Sequence, residues 1–165
     1  MTNNEDGMKK NLTNYGDKGF SIFLRKAFIK GLGYSDEMLD KKIIGITNTF
    51  SDYNPCHGNV PDLIKSVKTG ILSNGAIPLE FPTITIHESF ANPTSMYLRN
   101  LMSIDTEEML RAQPMDACVL IGGCDKTVPA QIMGGLSADI PIIQLVTGPM
   151  LTGSFRGERV GACTD

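Results

Sequence analysis

A thiol, a carboxylate and an amine occupy three successive positions of this chain, as Cys124, Asp125 and Lys126. They follow the apolar run 117–121, which has the length of a buried strand, and a Gly-Gly pair that ends it. Open α/β sheets bind ligands at the carboxyl ends of parallel strands, where these side chains would lie. Because sulfur is a soft ligand and oxygen a hard one, the run suits two different metals better than one. A polar loop with a half-buried cysteine is the competing interpretation.

Two further polar side chains follow other apolar runs. Cys56 lies in a polar loop after the apolar run 42–47, and Glu88 comes just after the β-branched run 83–86. The carboxyl ends of parallel strands meet at one edge of a sheet, so these residues are expected to lie near Cys124. Two thiolates suit zinc or an iron–sulfur cluster, and two carboxylates suit magnesium. Together the three loops predict a metal site.

The remaining cysteines and the histidines have simpler interpretations. No C-x-x-C pair occurs among the four cysteines, which argues against a zinc ribbon. Cys118 lies inside an apolar run and is interpreted as a small core residue, and Cys163 as incidental. His57 and His87 flank the candidate ligands, and a hydrogen bond to the loop is the favoured interpretation of both. A small zinc protein that uses the two loop cysteines and a histidine is a weaker alternative.

The composition argues against several kinds of partner. With 165 residues, 41% hydrophobic and 20% charged, the chain has the size and content of one globular domain. Its net charge of -3 gives no reason to expect nucleic acid or an anionic membrane as partner. No apolar stretch approaches the ~20 residues that span a bilayer, and residues 1–10 lack the apolar segment of a secretory signal. We therefore expect a cytoplasmic protein.

Strands and helices alternate along the chain, which predicts a layered α/β fold with a mostly parallel sheet flanked by helices. The predicted elements are helices at 20–31, 61–73, 95–101, 106–112 and 130–136 and strands at 42–47, 83–86, 117–121 and 141–146. Acidic residues at 105–108 are expected to form the first turn of the helix that follows. Residues 1–19 are polar and expected to be mobile, which leaves 20–165 as the folded domain.

Four short motifs are specific enough to indicate a family. They are Asn54-Pro55-Cys56-His57, Ile86-His87-Glu88-Ser89, Gly123-Cys124-Asp125-Lys126-Thr127-Val128-Pro129-Ala130 and Gly148-Pro149-Met150-Leu151. In this order they resemble the dihydroxy-acid dehydratase / phosphogluconate dehydratase family, and the resemblance extends from about Ile43 to Asp165. Two other stretches, 79–82 and 97–101, are more similar to the sugar-acid (aldonate) branch than to the branched-chain amino-acid branch.

The resemblance implies a hydro-lyase that removes water from a 2,3-dihydroxy acid and yields a 2-keto-3-deoxy acid. It implies two cofactors, a 2Fe-2S iron–sulfur cluster as Lewis acid for the departing hydroxyl and Mg²⁺ for the substrate carboxylate. Cys56 and Cys124 match cluster ligands. Glu88 and Asp125 match magnesium ligands, and Lys126 matches a lysine that is carbamylated in the family. Lys126 is expected to turn inward, with its pKa lowered by burial near a cation.

The resemblance also implies what this chain does not supply. Family members are several times as long, and their third cluster cysteine and serine base match no position up to Asp165. We therefore expect the N-terminal α/β portion of a dehydratase, incomplete at its C-terminal end, without the C-terminal domain or the catalytic base, and inactive alone. The substrate would be a small aldonate or dihydroxy acid, and the full-length form a homo-oligomer. Alternatives are a catalytically dead fragment, a partner-dependent binding module, or a branched-chain dihydroxy-acid dehydratase of amino-acid biosynthesis.

Overall fold

A four-stranded sheet organises the described part of the chain. In the computed structural model, which describes residues 5–12 and 14–161, neighbouring strands of this sheet run parallel in the order β2-β1-β3-β4. The strands are β1 (Ile43–Asn48), β2 (Ile77–Pro82), β3 (Ala117–Gly122) and β4 (Ile142–Val146), and a small antiparallel hairpin of β5 (Gly153–Phe155) and β6 (Glu158–Val160) follows. The layered, mostly parallel α/β fold predicted from the sequence is confirmed.

Helices cover both faces of the sheet. The α-helices are α1 (Lys18–Lys30), α2 (Asp36–Leu39), α3 (Val60–Ser73), α4 (Arg99–Ala112) and α5 (Thr127–Ala138), and 3₁₀ turns span Gly7–Lys9, Asn14–Gly16, Pro55–His57, Glu88–Phe90 and Ser95–Leu98. One core lies beneath α3, and the other is shared by α2, α4 and α5. Within the described ranges, no helix is both long enough and apolar enough to cross a membrane.

Side chains of the central strands alternate between these two cores, as the pleat of a strand requires. In β1, Ile43 belongs to the core with α4 and α5, and Ile46 to the core beneath α3. In β3, Leu120 and Ile121 divide in the same way. Burial of both sheet faces explains why these strands appear in the sequence as nearly continuous apolar runs.

The N-terminal segment contacts the sheet through a buried carboxylate. Both oxygens of Asp116, which precedes β3, accept from the Gly7 N–H, at 3.1 and 3.0 Å. Met8 is buried in the core with α4 and α5. The polar composition of 1–19 predicted a mobile segment, but the structure packs Gly7 and Met8 against the sheet and begins α1 at Lys18. The few apolar residues of this polar run have no periodicity that would reveal such packing.

The prediction of a strand at 83–86 is wrong. The segment that pairs with β1 lies earlier in the chain and is β2 (Ile77–Pro82). The Ile77 N–H donates to the Lys42 carbonyl at 2.8 Å, which starts the parallel ladder of β2 with β1. Beyond β2, the Ile84 N–H donates instead to Asp105 Oδ2 of α4, at 2.8 Å. β-Branched residues favour a strand only where a neighbouring strand offers partners, and here a helix side chain takes that place.

One long helix replaces the two helices predicted at 95–101 and 106–112. Residues Ser95–Leu98 form a 3₁₀ turn that leads directly into α4 (Arg99–Ala112). The acidic residues at 105–108 therefore lie in the middle of α4 and do not form a first turn. Asp105 makes a tertiary contact there, since it accepts the loop N–H described above.

The strand order creates a crevice between the loops that leave β1 and β3. These strands are neighbours at the centre of the sheet, yet β1 leads to β2 on one side and β3 leads to β4 on the other. Open α/β sheets bind their ligands at such a reversal. The loop after β1 carries Cys56 and the loop after β3 carries Cys124, so the topology brings both thiols to this crevice.

Candidate metal centre

A buried histidine joins the two central loops. His57 ends the 3₁₀ turn after β1 and is fully buried. Its Nδ1 lies 2.8 Å from the Thr49 carbonyl oxygen, and its Nε2 accepts from the N–H groups of Gly123 and Cys124, at 2.8 and 3.3 Å. These contacts require a neutral ring with its proton on Nδ1. Burial lowers the pKa of His57 and so favours this neutral form.

The two loops place the candidate cluster thiols side by side. Cys56 Sγ, Cys124 Sγ and a ring nitrogen of His87 all lie within 4.8 Å of one another. Cys124 is 8% exposed, and its thiol donates to Asn54 Oδ1 at 3.3 Å. Burial and then the neighbouring Cys56 thiol raise the pKa of Cys124 to about 12. Cys124 is therefore a neutral thiol in this arrangement, and a metal that binds its sulfur would displace the proton.

Glycine at position 123 permits the close approach of these loops. A Cβ there would lie 1.8 Å from Thr147 Oγ1 and 3.1 Å from the Cys56 carbonyl oxygen. Thr147 follows β4, and its hydroxyl donates to the Cys56 carbonyl at 3.0 Å. The Thr147 carbonyl in turn accepts from Asn59 Nδ2 at 3.0 Å. Loops from three neighbouring strands are thus joined around the thiols.

The candidate magnesium ligands lie beside the thiols and nearer to solvent. Glu88 Oε2 accepts from the Ser95 N–H at 2.9 Å and from the Ser95 hydroxyl. Hydrogen bonds from Ser95, and then from Thr94, lower the pKa of Glu88. The Asp125 side chain is 78% exposed, whereas that of Lys126 is 13% exposed. One carboxylate is therefore fixed by its neighbours and the other is open to solvent.

Lys126 turns inward as expected, and neighbouring carboxylates raise its pKa. Its ammonium donates to Asp125 Oδ2 at 2.6 Å. This hydrogen bond raises the pKa of Lys126, and the Glu88 carboxylate adds to the effect. The ion pair outweighs desolvation as long as Asp125 accepts from the ammonium. The lowered pKa expected from the sequence concerns Lys126 beside a bound cation and stays a prediction.

A cavity of about 770 Å³ contains the whole candidate site. It lies between the loops after β1, β2 and β3 and the residues around the β5–β6 hairpin. Its lining includes the five residues predicted from the sequence, which are Cys56, Glu88, Cys124, Asp125 and Lys126. Sulfur donors on one side suit iron or zinc, and oxygen donors on the other side suit magnesium. The donor set therefore fits both groups that the sequence motifs imply.

The two histidines differ in a way that the sequence did not reveal. His57 makes the loop hydrogen bonds favoured for it. His87 accepts from the Ser89 N–H at 3.2 Å, and it also lies beside both sulfurs, which was expected only under the weaker zinc alternative. The sequence feature that could have indicated a place for His87 in the site is its position directly before Glu88, in a loop already assigned to the site.

Cys118 is not among the described residues that line the cavity. Cys118 is buried in the core with α4 and α5, and burial raises the pKa of its thiol to about 12. This agrees with its interpretation as a core residue. Cys163 lies outside the described residues.

The chain is an α/β domain with a candidate metal site at the reversal point of its parallel sheet. The family described as "Dihydroxy-acid/6-phosphogluconate dehydratase N-terminal" matches residues 41–164. The chain therefore belongs to the dihydroxy-acid/6-phosphogluconate dehydratase family.

Curated relatives carry the names of sugar-acid and dihydroxy-acid dehydratases. The chain is 44% identical to L-arabinonate dehydratase from Rhizobium leguminosarum bv. trifolii, over 91% of this chain and 26% of the relative. It is 42% identical to L-arabonate dehydratase from Azospirillum brasilense, over 91% of this chain and 26% of the relative. It is 40% identical to dihydroxy-acid dehydratase from Methanococcus vannielii, over 86% of this chain and 27% of the relative. The chain thus spans about a quarter of the length of these relatives.

Proposed function

We propose that this chain forms the metal-binding part of an aldonate dehydratase, which converts a 2,3-dihydroxy sugar acid to a 2-keto-3-deoxy acid. The observation that carries the proposal is the presence of two adjacent sulfur donors and neighbouring carboxylates in one cavity. Family membership supports the reaction class. The names of the sugar-acid relatives support the substrate class.

Two groups of residues have separate roles in this proposal. Cys56 and Cys124 would bind a 2Fe-2S cluster, and Glu88, Asp125 and Lys126 would bind Mg²⁺. When bound, these groups supply electrophilic stabilisation for the leaving hydroxyl and for negative charge that develops on the substrate. The spacing of the sulfurs, within 4.8 Å, is compatible with ligands at ~2.3 Å from one iron or from two adjacent irons.

The carboxylate side of the cavity can bind and orient an acid substrate through a cation. Glu88 stays ionised because Ser95 donates two hydrogen bonds to it. Asp125 presents an exposed carboxylate at the cavity wall. Lys126 enters the proposal as a carbamate, in which the neutral amine adds CO₂ and releases a proton. The ion pair with Asp125 opposes this reaction, so engagement of Asp125 by a cation would favour it.

The test is anaerobic reconstitution of the purified protein with iron and sulfide. We expect visible iron–sulfur absorbance in the protein and its loss in Cys56→Ala and Cys124→Ala. Cys118→Ala is the matched control, because Cys118 is a buried thiol away from the cavity and should leave the absorbance unchanged. Equal absorbance in all three variants would contradict the proposal, since the cluster would then be bound elsewhere.

Turnover is assayed as formation of a 2-keto-3-deoxy acid in the presence of Mg²⁺. L-Arabinonate and D-xylonate test the aldonate branch, and a branched-chain 2,3-dihydroxy acid tests the alternative that the sequence left open. Product from any of these acids would overturn the absence of turnover proposed for this chain by itself, and product from the branched-chain acid alone would also replace the proposed substrate class. General-base catalysis contributes ~10²–10⁴-fold and needs a group within reach of the substrate proton. Among the described lining residues, the titratable groups are the candidate ligands and His87. For this chain by itself we therefore propose metal binding without turnover.

A second candidate function is a mononuclear zinc site. The observation that favours it is the group formed by Cys56, Cys124 and His87, since two thiolates and an imidazole are a common zinc ligand set. Metal analysis of the protein purified without added iron distinguishes the two candidates. One zinc per chain, without sulfide, would favour the zinc site over the cluster.

A further inference from the structure

We propose that Asn54 is a positioning residue of the candidate metal site, whose side-chain amide donates a hydrogen bond to the metal-bound sulfur of Cys124. The proposal rests on the proposed function only in that Cys124 binds a metal. Asn54 belongs to the motif 54–57, and the sequence alone assigned it no role. Its side chain is fully buried, and the contacts of its amide carry the proposal.

The amide of Asn54 lies between the sulfur of Cys124 and two polar side chains. Its Oδ1 lies 3.3 Å from Cys124 Sγ. Its Nδ2 lies 2.7 Å from Thr85 Oγ1 and 3.3 Å from His57 Nδ1. The two ends of an amide are nearly equal in size, so a half-turn exchanges donor and acceptor and changes these distances little. The hydrogen-bonding character of the neighbours therefore decides which end faces the sulfur.

The histidine side of this contact favours the amide oxygen. His57 Nε2 accepts from the N–H groups of Gly123 and Cys124, which leaves the ring proton on Nδ1. An N–H of the Asn54 amide at 3.3 Å therefore faces another N–H. After a half-turn, the Asn54 oxygen accepts from the Thr85 hydroxyl and faces the Nδ1–H of His57 without conflict. Nδ2 then lies beside Cys124 Sγ, in the place of Oδ1.

The sulfur side favours the same half-turn once a metal binds. A neutral Cys124 thiol donates its proton to Asn54 Oδ1, which is the arrangement observed. A metal-bound thiolate has no proton, so Oδ1 would present an acceptor to a negative sulfur in a buried site. The half-turn replaces this repulsion by an N–H···S hydrogen bond. The metal-free and metal-bound forms thus differ in the orientation of one buried amide.

A donor at this sulfur would change both the affinity and the electronic character of the bound group. Hydrogen bonds to ligand sulfurs are among the features that set the reduction potential of iron–sulfur centres. A donor stabilises the more negative, reduced form and so raises that potential. The N–H groups of Gly123 and Cys124 are committed to His57 and do not supply this bond. Asn54 therefore acts on a substrate through the metal group and does not need to touch it.

The primary experiment detects the hydrogen bond directly. The protein, with its thiols reduced, carries asparagine labelled with ¹⁵N only at Nδ2 and is loaded with ¹¹³Cd²⁺, whose nucleus couples to protons hydrogen-bonded to a ligand sulfur. We expect coupling to one asparagine side-chain proton and its loss in Asn54→Ala. Asn59→Ala is the matched control, because Asn59 lies in the same loop and its amide donates to the Thr147 carbonyl. Thiolate-bound Cd²⁺ without this coupling, or coupling that persists in Asn54→Ala, would overturn the proposal.

A second variant separates donation from packing and assigns the signal if Asn54→Ala does not fold. Asn54→Leu keeps nearly the volume of asparagine and removes both polar ends of the side chain. We expect its Cd²⁺ affinity to fall by about 10-fold or more, since loss of a contact to a metal ligand costs that much. Its reconstituted iron–sulfur group should have a lower reduction potential, whereas Asn59→Ala should match the unsubstituted protein in both measurements.

The remaining outcomes are also decisive. Equal Cd²⁺ affinity in Asn54→Leu would overturn the proposal. Weaker binding with an unchanged reduction potential would reduce Asn54 to a packing role and overturn it as well. If no thiolate-to-cadmium absorbance develops in the unsubstituted protein, the thiol site itself is contradicted, and with it the proposed function. Cd²⁺ binding that depends on Cys124 but not on Asn54 would leave the proposed function standing and remove this inference alone.

Discussion

The two sides of the candidate site differ in burial. The thiol of Cys124 is buried in a loop held by hydrogen bonds, whereas the carboxylates of Glu88 and Asp125 lie at the surface of the protein. Cys124 is 8% exposed and its loop is fixed by backbone hydrogen bonds to a buried histidine. Asp125, the next residue, has a side chain that is 78% exposed and makes a single ion pair. Adjacent residues of one loop therefore meet two very different environments.

The difference matches the demands of the two kinds of metal. Thiolate ligands form short, directional bonds. A scaffold that already fixes their spacing therefore reduces the conformational entropy that is lost when a metal binds. Mg²⁺ keeps several waters and takes only one or two carboxylates from a protein, so exposed and adjustable ligands suit it. Substitutions should consequently affect stability on the thiol side and metal-dependent function on the carboxylate side.

The largest effect on stability is expected for Gly123→Ala. The added Cβ would lie 1.8 Å from Thr147 Oγ1, and neither loop can move without losing the hydrogen bonds around Cys56. We expect a loss of about 3 kcal/mol of unfolding free energy, measured by denaturant titration, because overpacking of a well-packed site costs that much. Iron–sulfur absorbance should fall with it.

Two further variants separate this clash from a general intolerance of alanine. The double variant Gly123→Ala/Thr147→Ala removes the clashing hydroxyl and should recover part of the lost stability. Gly70→Ala, in the interior of α3 with open space around its Cα, should be neutral or stabilising by up to about 1 kcal/mol. A Gly123→Ala protein as stable as the Gly70→Ala protein would show that the loops are not tightly apposed.

A smaller effect is expected for His57→Phe, with His87→Phe as its counterpart. Phenylalanine fills the space of the buried ring but cannot accept from the Gly123 N–H, and an unsatisfied buried donor costs about 1–3 kcal/mol. His87→Phe removes one long hydrogen bond near solvent, so its unfolding free energy should change by no more than about 0.5 kcal/mol. Thermal and denaturant unfolding of both variants provide the measurement. Equal destabilisation by the two substitutions would remove the distinction between a structural histidine and one at the cavity wall.

The sequence predicted which loops meet in the cavity better than it predicted the strands and helices around them. Cys56, Glu88 and Cys124 each follow an apolar run closely enough that errors in strand position did not matter. The strand expected at 83–86 lies instead at Ile77–Pro82. The position of this strand depends on its hydrogen bonds to β1, and the local composition of the segment does not reveal them. The loop that follows β2 still carries Glu88 into the cavity.

Contacts between distant segments were the part that the sequence did not reveal. Asp105 was interpreted as part of an acidic helix start, but it accepts an N–H from a loop 21 residues earlier. The ion pair of Lys126 with its exposed neighbour, which raises the pKa of this lysine, was not foreseen from the sequence. His57 and His87 have similar sequence surroundings, yet one is fully buried and the other is half-buried beside two sulfurs. Each outcome depends on three-dimensional partners that spacing along the chain does not specify.

The smallest effect on stability, and the clearest separation of stability from function, is expected for Lys126→Arg. Arginine keeps the positive charge and can keep the ion pair with Asp125, and a pair whose carboxylate is open to solvent contributes only about 0–1 kcal/mol. The unfolding free energy and the iron–sulfur absorbance should therefore stay unchanged. Arginine stays protonated and cannot form a carbamate, so turnover should be abolished at the matching lysine of a full-length relative. Lys65→Arg, at an exposed lysine paired with Asp62, is the control in this chain for a change of cation alone and should likewise leave stability and absorbance unchanged. Retained turnover in the relative's variant would mean that the matching lysine serves as a cation beside its aspartate, and that the magnesium side of the cavity uses the two carboxylates without it.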